Sequence, residues 1–132
     1  MDQQNEREQI LNAPKHHFVT PKFLLGKKGH TNHILKLDTI CFVYTQNKMV
    51  YIFDNTGTKF ISEYSLGYLE EVLDPSIFFR GNRQYLINLH YIKCFRNLNK
   101  LRIEVEMVLP QGHKVVLSQW ATSRFRRWIQ HI

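Results

Sequence analysis

The chain has 132 residues, 43% of them hydrophobic, and its 18 Lys and Arg against 11 Asp and Glu give a net charge of +7. This length is typical of one domain with its own core, and no apolar run reaches the roughly 20 residues that span a bilayer. The polar start, Met1 to Asn12, excludes a secretory signal peptide. Cys41 and Cys94 lie in apolar runs and are interpreted as buried thiols of a cytoplasmic protein, because a small disulfide-stabilised domain normally has more cysteines.

The positive charge is concentrated in the second half of the chain. Residues 1–74 hold 8 Lys and Arg against 9 Asp and Glu, whereas residues 75–132 hold 10 Lys and Arg against only Glu104 and Glu106. A surface of one sign raises the local concentration of polyanions. This asymmetry favours a nucleic-acid partner, although a solvated basic face with no partner would have the same composition.

Short strands dominate the pattern after a polar, aperiodic segment. Residues 1–17 are predicted to be a linker or disordered tail, and the folded domain is predicted to span residues 18–132. Alternating apolar residues and turn signals predict strands at His33–Leu37, Ile40–Thr45, Met49–Phe53, Thr58–Ser62, Tyr85–Ile87, Ile92–Phe95, residues 101–109 and Lys114–Leu117. The connection Gln46–Lys48 is short enough for a tight hairpin.

Two segments have helical periodicity instead. The first, Ser65–Leu73, begins at a capping serine and is ended by Asp74 and Pro75. The second follows the capping residue Ser118. Its apolar stripe consists of Ala121, Phe125, Trp128, Ile129 and Ile132, and Arg124, Arg126 and Arg127 lie off that stripe. The sequence therefore predicts a mainly β fold with two short helices.

Neither a metal site nor a catalytic site is favoured. His30 and His33 are three residues apart and His16 and His17 are adjacent, but a zinc site needs about four ligands, or three and a water. The cysteines lack a recognisable histidine partner. Glu104 and Glu106 share one strand face and are best interpreted as part of a solvated face beside Arg102. We expect no enzyme activity and no cofactor.

The segment Phe78–Asn88 is the strongest functional signal. Within it, Arg83 can make a forked contact with guanine or with phosphate. The amides of Asn82 and Gln84 suit adenine. The alternative is that an arginine of this turn only ties the helix to the sheet. It would do so by pairing with a nearby acid, namely Glu70, Glu71 or Asp74, and this alternative suits Arg80 better than Arg83.

A second alternative rests on the many aromatic residues. Exposed rings on a sheet can stack on single-stranded bases. The rings in question are Phe42, Tyr44, Tyr51, Phe53, Phe78, Phe79 and Tyr85. Alternation along the strands predicts that many of them are core residues, which we prefer.

The order of these motifs resembles that of the LytTR-type DNA-binding domains of bacterial response regulators. The resemblance covers about residues 20–130. It rests on the segments Leu37–Val43, Ser65–Leu73, Phe78–Asn88, Tyr91–Ile92 and Val116–Ser118. It implies an elongated, multi-sheet fold of about ten short strands with two helices, whose loops enter successive major grooves and bend the duplex.

The resemblance also implies the DNA contacts. The turn Asn82-Arg83-Gln84 matches a His-Arg-Ser-like turn of the family, with Arg83 as the base reader. Ser118 and Gln119 match a Ser-Arg pair that contacts DNA. Asn47 and Lys48 belong to the third contact loop, while Asn88 has a structural role as a cap.

Two positions depart from the family pattern. Asn82 stands in place of the usual His, and Gln119 stands in place of the usual Arg. Both substitutions keep hydrogen-bonding capacity, but Gln119 lacks the charge, so Arg124 is expected to supply a phosphate contact.

The implied function is sequence-specific binding of double-stranded DNA in transcription control, as the output domain of a two-component response regulator. The implied partners are an upstream receiver domain with its histidine kinase, and a second copy on tandem DNA sites. A free-standing regulator is the alternative for the chain as a whole. The alternative function is a β-rich single-stranded nucleic-acid or protein-interaction module.

Overall fold

The structure, a computed structural model, describes residues 21–130. The predicted tail, the beginning of the folded domain at residue 18 and the pair His16 and His17 lie outside the described residues. Within that range the chain forms ten strands and two helices, as expected for a mainly β fold. The strands are β1 (Phe23–Lys28), β2 (Thr31–Lys36), β3 (Ile40–Gln46), β4 (Met49–Asp54), β5 (Lys59–Ser62), β6 (Phe78–Arg80), β7 (Tyr85–Asn88), β8 (Ile92–Asn99), β9 (Arg102–Met107) and β10 (Lys114–Val116). The helices are α1 (Leu66–Val72) and α2 (Gln119–Ile129).

The strands form two antiparallel sheets. The large sheet has seven strands in the order β2-β1-β5-β4-β3-β7-β6, and the small sheet has three in the order β10-β9-β8. Successive side chains of a strand point to opposite faces, so Leu86 of β7 joins the core that contains Leu69 of α1, whereas Ile87 joins the core that contains Phe125 of α2. The large sheet is therefore a middle layer between α1 on one face and the small sheet with α2 on the other.

Both helices begin at the serines that the sequence predicts. The Ser65 hydroxyl accepts from the Tyr68 N–H at 3.1 Å, and the Ser118 hydroxyl accepts from the Ala121 N–H at 3.1 Å. Phe125 is 1% exposed, and the stripe on α2 from Ala121 to Ile129 packs on the small sheet as expected. Ile132, the last residue of the predicted stripe, lies outside the described residues. Neither helix has the length and hydrophobicity that crossing a membrane requires.

Several features differ from the sequence predictions. β1 was not predicted, because its outer face carries apolar Phe23 and Leu25 and the strand lacks polar alternation. The prediction that Cys94 is buried was wrong. Cys94 lies on β8, an edge strand of the small sheet, and its side chain is exposed. β8 also continues through polar residues to Asn99, since pairing with β9 overrides local propensity.

The alternating strand β9 has the buried face that its sequence predicts. Ile103, Val105 and Met107 are fully buried, whereas Leu101, expected on the same face, lies just before the strand and is exposed. Glu104 and Glu106 do share a face. Glu104 pairs with Arg96 at 2.8 Å and Glu106 pairs with Lys93 at 3.6 Å, both across the strand pair β8–β9.

Candidate nucleic-acid interface

The side chain of Arg80 holds the turn between β6 and β7 through hydrogen bonds to its main chain. Its guanidinium donates from Nε to the Asn82 carbonyl at 2.7 Å and from Nη2 to the Arg83 carbonyl at 3.0 Å. Its Nη1 pairs with the Glu70 carboxylate of α1 at 2.8 Å. This is the structural role that the sequence favoured for Arg80. It fixes the shape of the turn and neutralises the arginine's charge locally.

The Asn82 side chain is fully engaged within the protein. Its Oδ1 accepts from the main-chain N–H groups of Gln84 at 2.8 Å and Tyr85 at 3.0 Å. Its Nδ2 donates to the Val116 carbonyl of β10 at 2.8 Å. An amide that makes these three hydrogen bonds closes the turn and ties it to the small sheet, and it keeps one further Nδ2 donor.

Arg83 and Gln84 lie at the apex of this turn, and both are exposed. Within residues 21–130, the Arg83 guanidinium makes no ion pair or hydrogen bond, although its carbonyl is held by Arg80. The predicted difference between the two arginines is therefore confirmed. A guanidinium without a protein partner keeps its five N–H donors available for an external anion or base.

The β3–β4 hairpin lies next to this turn at the same end of the large sheet. The Thr45 N–H of β3 donates to the Gln84 carbonyl at 2.9 Å. Two residues later, Asn47 (φ 52°) and Lys48 (φ 65°) form the hairpin tip in the left-handed region. That backbone matches the twist of a two-residue hairpin. It holds both exposed side chains at the sheet end, beside the turn.

The start of α2 lies on the other side of the turn. The Ser118 N–H donates to the Gly81 carbonyl at 2.9 Å. Gln119, the first residue of the helix, is exposed. The three segments predicted to contact DNA, 47–48, 82–84 and 118–119, therefore form one row in which neighbours are joined by main-chain hydrogen bonds. We name this row the loop edge.

Arg124 lies near the loop edge, one turn along α2 from an aromatic residue that the sequence analysis missed. Its guanidinium carbon lies 4.6 Å from the centre of the Trp120 ring and 5.9 Å from the centre of the Phe79 ring. Trp120 is 64% exposed. A signal for it was present in the sequence, because a tryptophan in the first turn of the helix lies off the apolar stripe.

The acidic side chains of the second half of the chain do not neutralise the loop edge. Glu104 pairs with Arg96, and Glu106 pairs with Lys93 of the same strand, β8. Among the described residues, Lys48, Arg83 and Arg124 take part in no ion pair. Lys48 and Arg83 of the loop edge, and Arg124 beside it, are therefore not neutralised by an ion pair within the described part of the chain.

The aromatic residues of β3, β4 and β7 pack against one another. Phe42 is 2% exposed, and its ring stacks on Phe53 at 5.0 Å and on His113 at 4.9 Å. Burial lowers the pKa of His113, and burial followed by the neighbouring Tyr44 raises the pKa of Tyr85. Phe42, Phe78 and Phe79 are buried, as the preferred interpretation expects. The other four rings are half-buried and pack against neighbouring aromatic rings, namely Tyr44, Tyr51, Phe53 and Tyr85.

The remaining cysteine and histidine side chains of residues 21–130 do not form a second candidate site. Burial, with a smaller contribution from Asp54, raises the pKa of Cys41 to about 11, so this thiol stays protonated near neutral pH. His30 lies in the β1–β2 turn, and His33 lies within β2 opposite Gly26 of β1. Within the described range, no three His, Cys, Asp or Glu side chains come together as metal ligands would.

Comparison with known proteins agrees with the fold described above. A family model described as the LytTr DNA-binding domain matches residues 30–130, which include the whole loop edge. The fold is similar to that of a solved LytTr DNA-binding domain from Bacillus cereus, with 20% sequence identity and a TM-score of 0.74. That likeness covers 83% of this chain and 97% of the other. No curated protein matches the chain significantly.

Proposed function

Since the chain belongs to the LytTR family of DNA-binding domains, we propose that it binds double-stranded DNA sequence-specifically to control transcription, as the output domain of a two-component response regulator. The observation that carries this proposal is the loop edge. Three segments distant in sequence lie side by side there, and the arginine at the centre is exposed and without an ion pair among the described residues.

The side chains at this surface have two kinds of role. Some position the protein on the DNA backbone, and others recognise the base sequence. Lys48 of the loop edge and Arg124 beside it neutralise phosphates, which gives affinity but little sequence information. Arg83 makes the forked contact with guanine N7 and O6 in the major groove. The amides of Gln84, Gln119 and Asn47 provide donors and acceptors for neighbouring base edges.

Asn82 acts differently from the other residues of its turn. Its amide makes three hydrogen bonds inside the protein, and releasing them to contact a base would leave main-chain groups without partners. We therefore assign it to positioning Arg83 and Gln84. Ser118 likewise holds the helix start through its cap and its bond to Gly81, which presents Gln119.

The proposed partners beyond DNA are those of a regulator. An upstream receiver domain, phosphorylated by its histidine kinase, brings two copies of the domain onto tandem sites. Once one copy is bound, the linked second copy binds its own site at a high effective concentration. The pair therefore binds more tightly than a single copy, without any new contact surface.

The test is selection of bound duplexes from a random pool at two salt concentrations. A sequence-specific binder enriches a defined site at both. Its affinity falls with salt because phosphate contacts release counterions. Lys28→Ala is the control variant and should enrich the same site as wild type. This exposed lysine adjoins the β1–β2 turn at the opposite end of the sheet from the loop edge. A preference for single-stranded RNA over duplex DNA at equal salt would overturn the proposal.

A further inference from the structure

The loop edge is extended by an exposed aromatic side chain. Trp120 follows Ser118 and Gln119 at the start of α2 and is 64% exposed, more than most large apolar side chains of the described range. Its indole N–H has no hydrogen-bond acceptor in that range. Because the Ser118 N–H bonds to the Gly81 carbonyl, the indole extends from the segment that adjoins the turn of Arg83.

The indole is also held in place from one side. Arg124 lies four residues later, with its guanidinium carbon 4.6 Å from the Trp120 ring centre and 5.9 Å from that of Phe79. Phe79 is 6% exposed and packs edge-on against Phe125 at 6.0 Å. The exposed ring is therefore connected through Arg124 to the core. Trp120 and Arg124 therefore form one held pair of side chains at the surface, directly beside the segments proposed to contact DNA.

We propose that Trp120 is a specificity residue that contacts the methyl group of a thymine in the major groove. This inference rests on the proposed function. Bases in a duplex are stacked, so a protein ring at the groove reaches their edges and not their faces. The apolar group on a base edge in the major groove is the thymine C5 methyl, and an indole covers it without needing a hydrogen-bond partner.

The same geometry gives Arg124 two tasks. Its guanidinium stacks on the indole, and cation–π contact of this kind holds both groups. Its remaining donors are directed to the phosphate that flanks the contacted thymine. The proposal therefore joins a base contact and a phosphate contact in one pair of side chains on α2.

The experiment replaces single thymines of the selected duplex with deoxyuridine, which lacks only the methyl group. Wild-type protein is expected to lose about three- to fivefold in affinity at one or two positions, as for one apolar carbon moved out of contact. Trp120→Ala should bind the thymine and uracil duplexes equally at those positions. Ile34→Ala is the matched control, because Ile34 is 70% exposed on the distant edge strand β2 and should keep the full discrimination.

A second readout follows the ring directly. In the variant Trp128→Phe, Trp120 is the remaining tryptophan, and acrylamide quenching of its fluorescence should fall when duplex is added. The inference is overturned if Trp120→Ala keeps the wild-type preference for thymine, or if wild type shows no such preference at any position. Loss of sequence selection by wild type itself would overturn the proposed function instead, so the two failures are distinguishable.

Discussion

The side-chain amide of Asn82 donates a hydrogen bond of 2.8 Å to the main-chain carbonyl of Val116, 34 residues later. This bond joins a turn of the large sheet to the edge strand β10 of the small sheet. The same side chain accepts two main-chain N–H groups within the turn. One residue therefore sets both the shape of the turn that presents Arg83 and its position relative to α2.

Asn82→Ala is expected to lower the free energy of unfolding by about 1–2 kcal/mol, because it leaves three main-chain groups without their partners. Affinity for duplex DNA should fall by a similar factor for all sequences, since the turn loses its shape and not a base contact. Chemical denaturation and anisotropy titrations measure the two effects. Asn82→Asp, which keeps the acceptor and loses the donor, should retain more stability. A loss confined to one base position would instead identify Asn82 as a reader.

Arg83→Ala is expected to have the opposite pattern. Its side chain is exposed and unpaired within the described residues, so stability should change by no more than about 0.5 kcal/mol. Binding should weaken by about 1–3 kcal/mol at the preferred base and lose selectivity there. Arg83→Lys keeps the charge but not the fork, and should also lose selectivity. A variant that keeps wild-type affinity and base preference would rule out the reader role.

The local parts of this fold could be predicted from the sequence because they depend on local rules. The caps Ser65 and Ser118 and the buried face of β9 follow from spacing and hydrogen-bonding chemistry alone. β1 could not be predicted, since the half of the large sheet to which it belongs is not covered by the small sheet and leaves Phe23 exposed. Cys94 was misassigned for a related reason, because an apolar run on an edge strand has an open face.

The candidate site divides in the same way. The different roles of Arg80 and Arg83 were predictable from their positions. Arg80 ends an apolar strand and pairs with an acid, whereas Arg83 lies in the turn and does not. The use of the Asn82 amide was not, because its partner on β10 is set by packing of the two sheets. Trp120 was missed because its importance depends on which face of α2 adjoins the turn.

The two cysteines are expected to react very differently with iodoacetamide. Cys41 is fully buried and its pKa is raised to about 11, whereas Cys94 is exposed. At pH 8 the native protein should gain one modification, at Cys94, and the second only after unfolding. Intact mass measured over time tests this. Cys94→Ser should remain unmodified while folded, and rapid labelling of Cys41 in the native state would contradict the packing described for β3.

The His113 imidazole should make the fold sensitive to mild acid. Its ring stacks on Phe42, and its buried Nε2 has no hydrogen-bond partner among the described residues. Burial lowers the pKa of His113 in the folded protein below the ordinary value of 6.5. At any pH between this lowered pKa and 6.5, the unfolded chain therefore binds more protons than the folded protein. Stability from this group is therefore complete above about pH 7 and declines as pH falls through 6.5.

His113→Phe removes the titrating group and keeps a ring that can stack on Phe42. We expect the variant to lose less thermal stability than wild type between pH 7.5 and pH 5.5, because the substitution removes only the imidazole of His113 and leaves every other titratable group in place. At pH 7.5 its stability should equal or exceed that of wild type, since a buried nitrogen without a partner is replaced by carbon. Thermal unfolding followed by circular dichroism at several pH values measures the difference. Parallel pH dependence in the two proteins would mean that His113 is protonated as readily in the fold as in the unfolded chain.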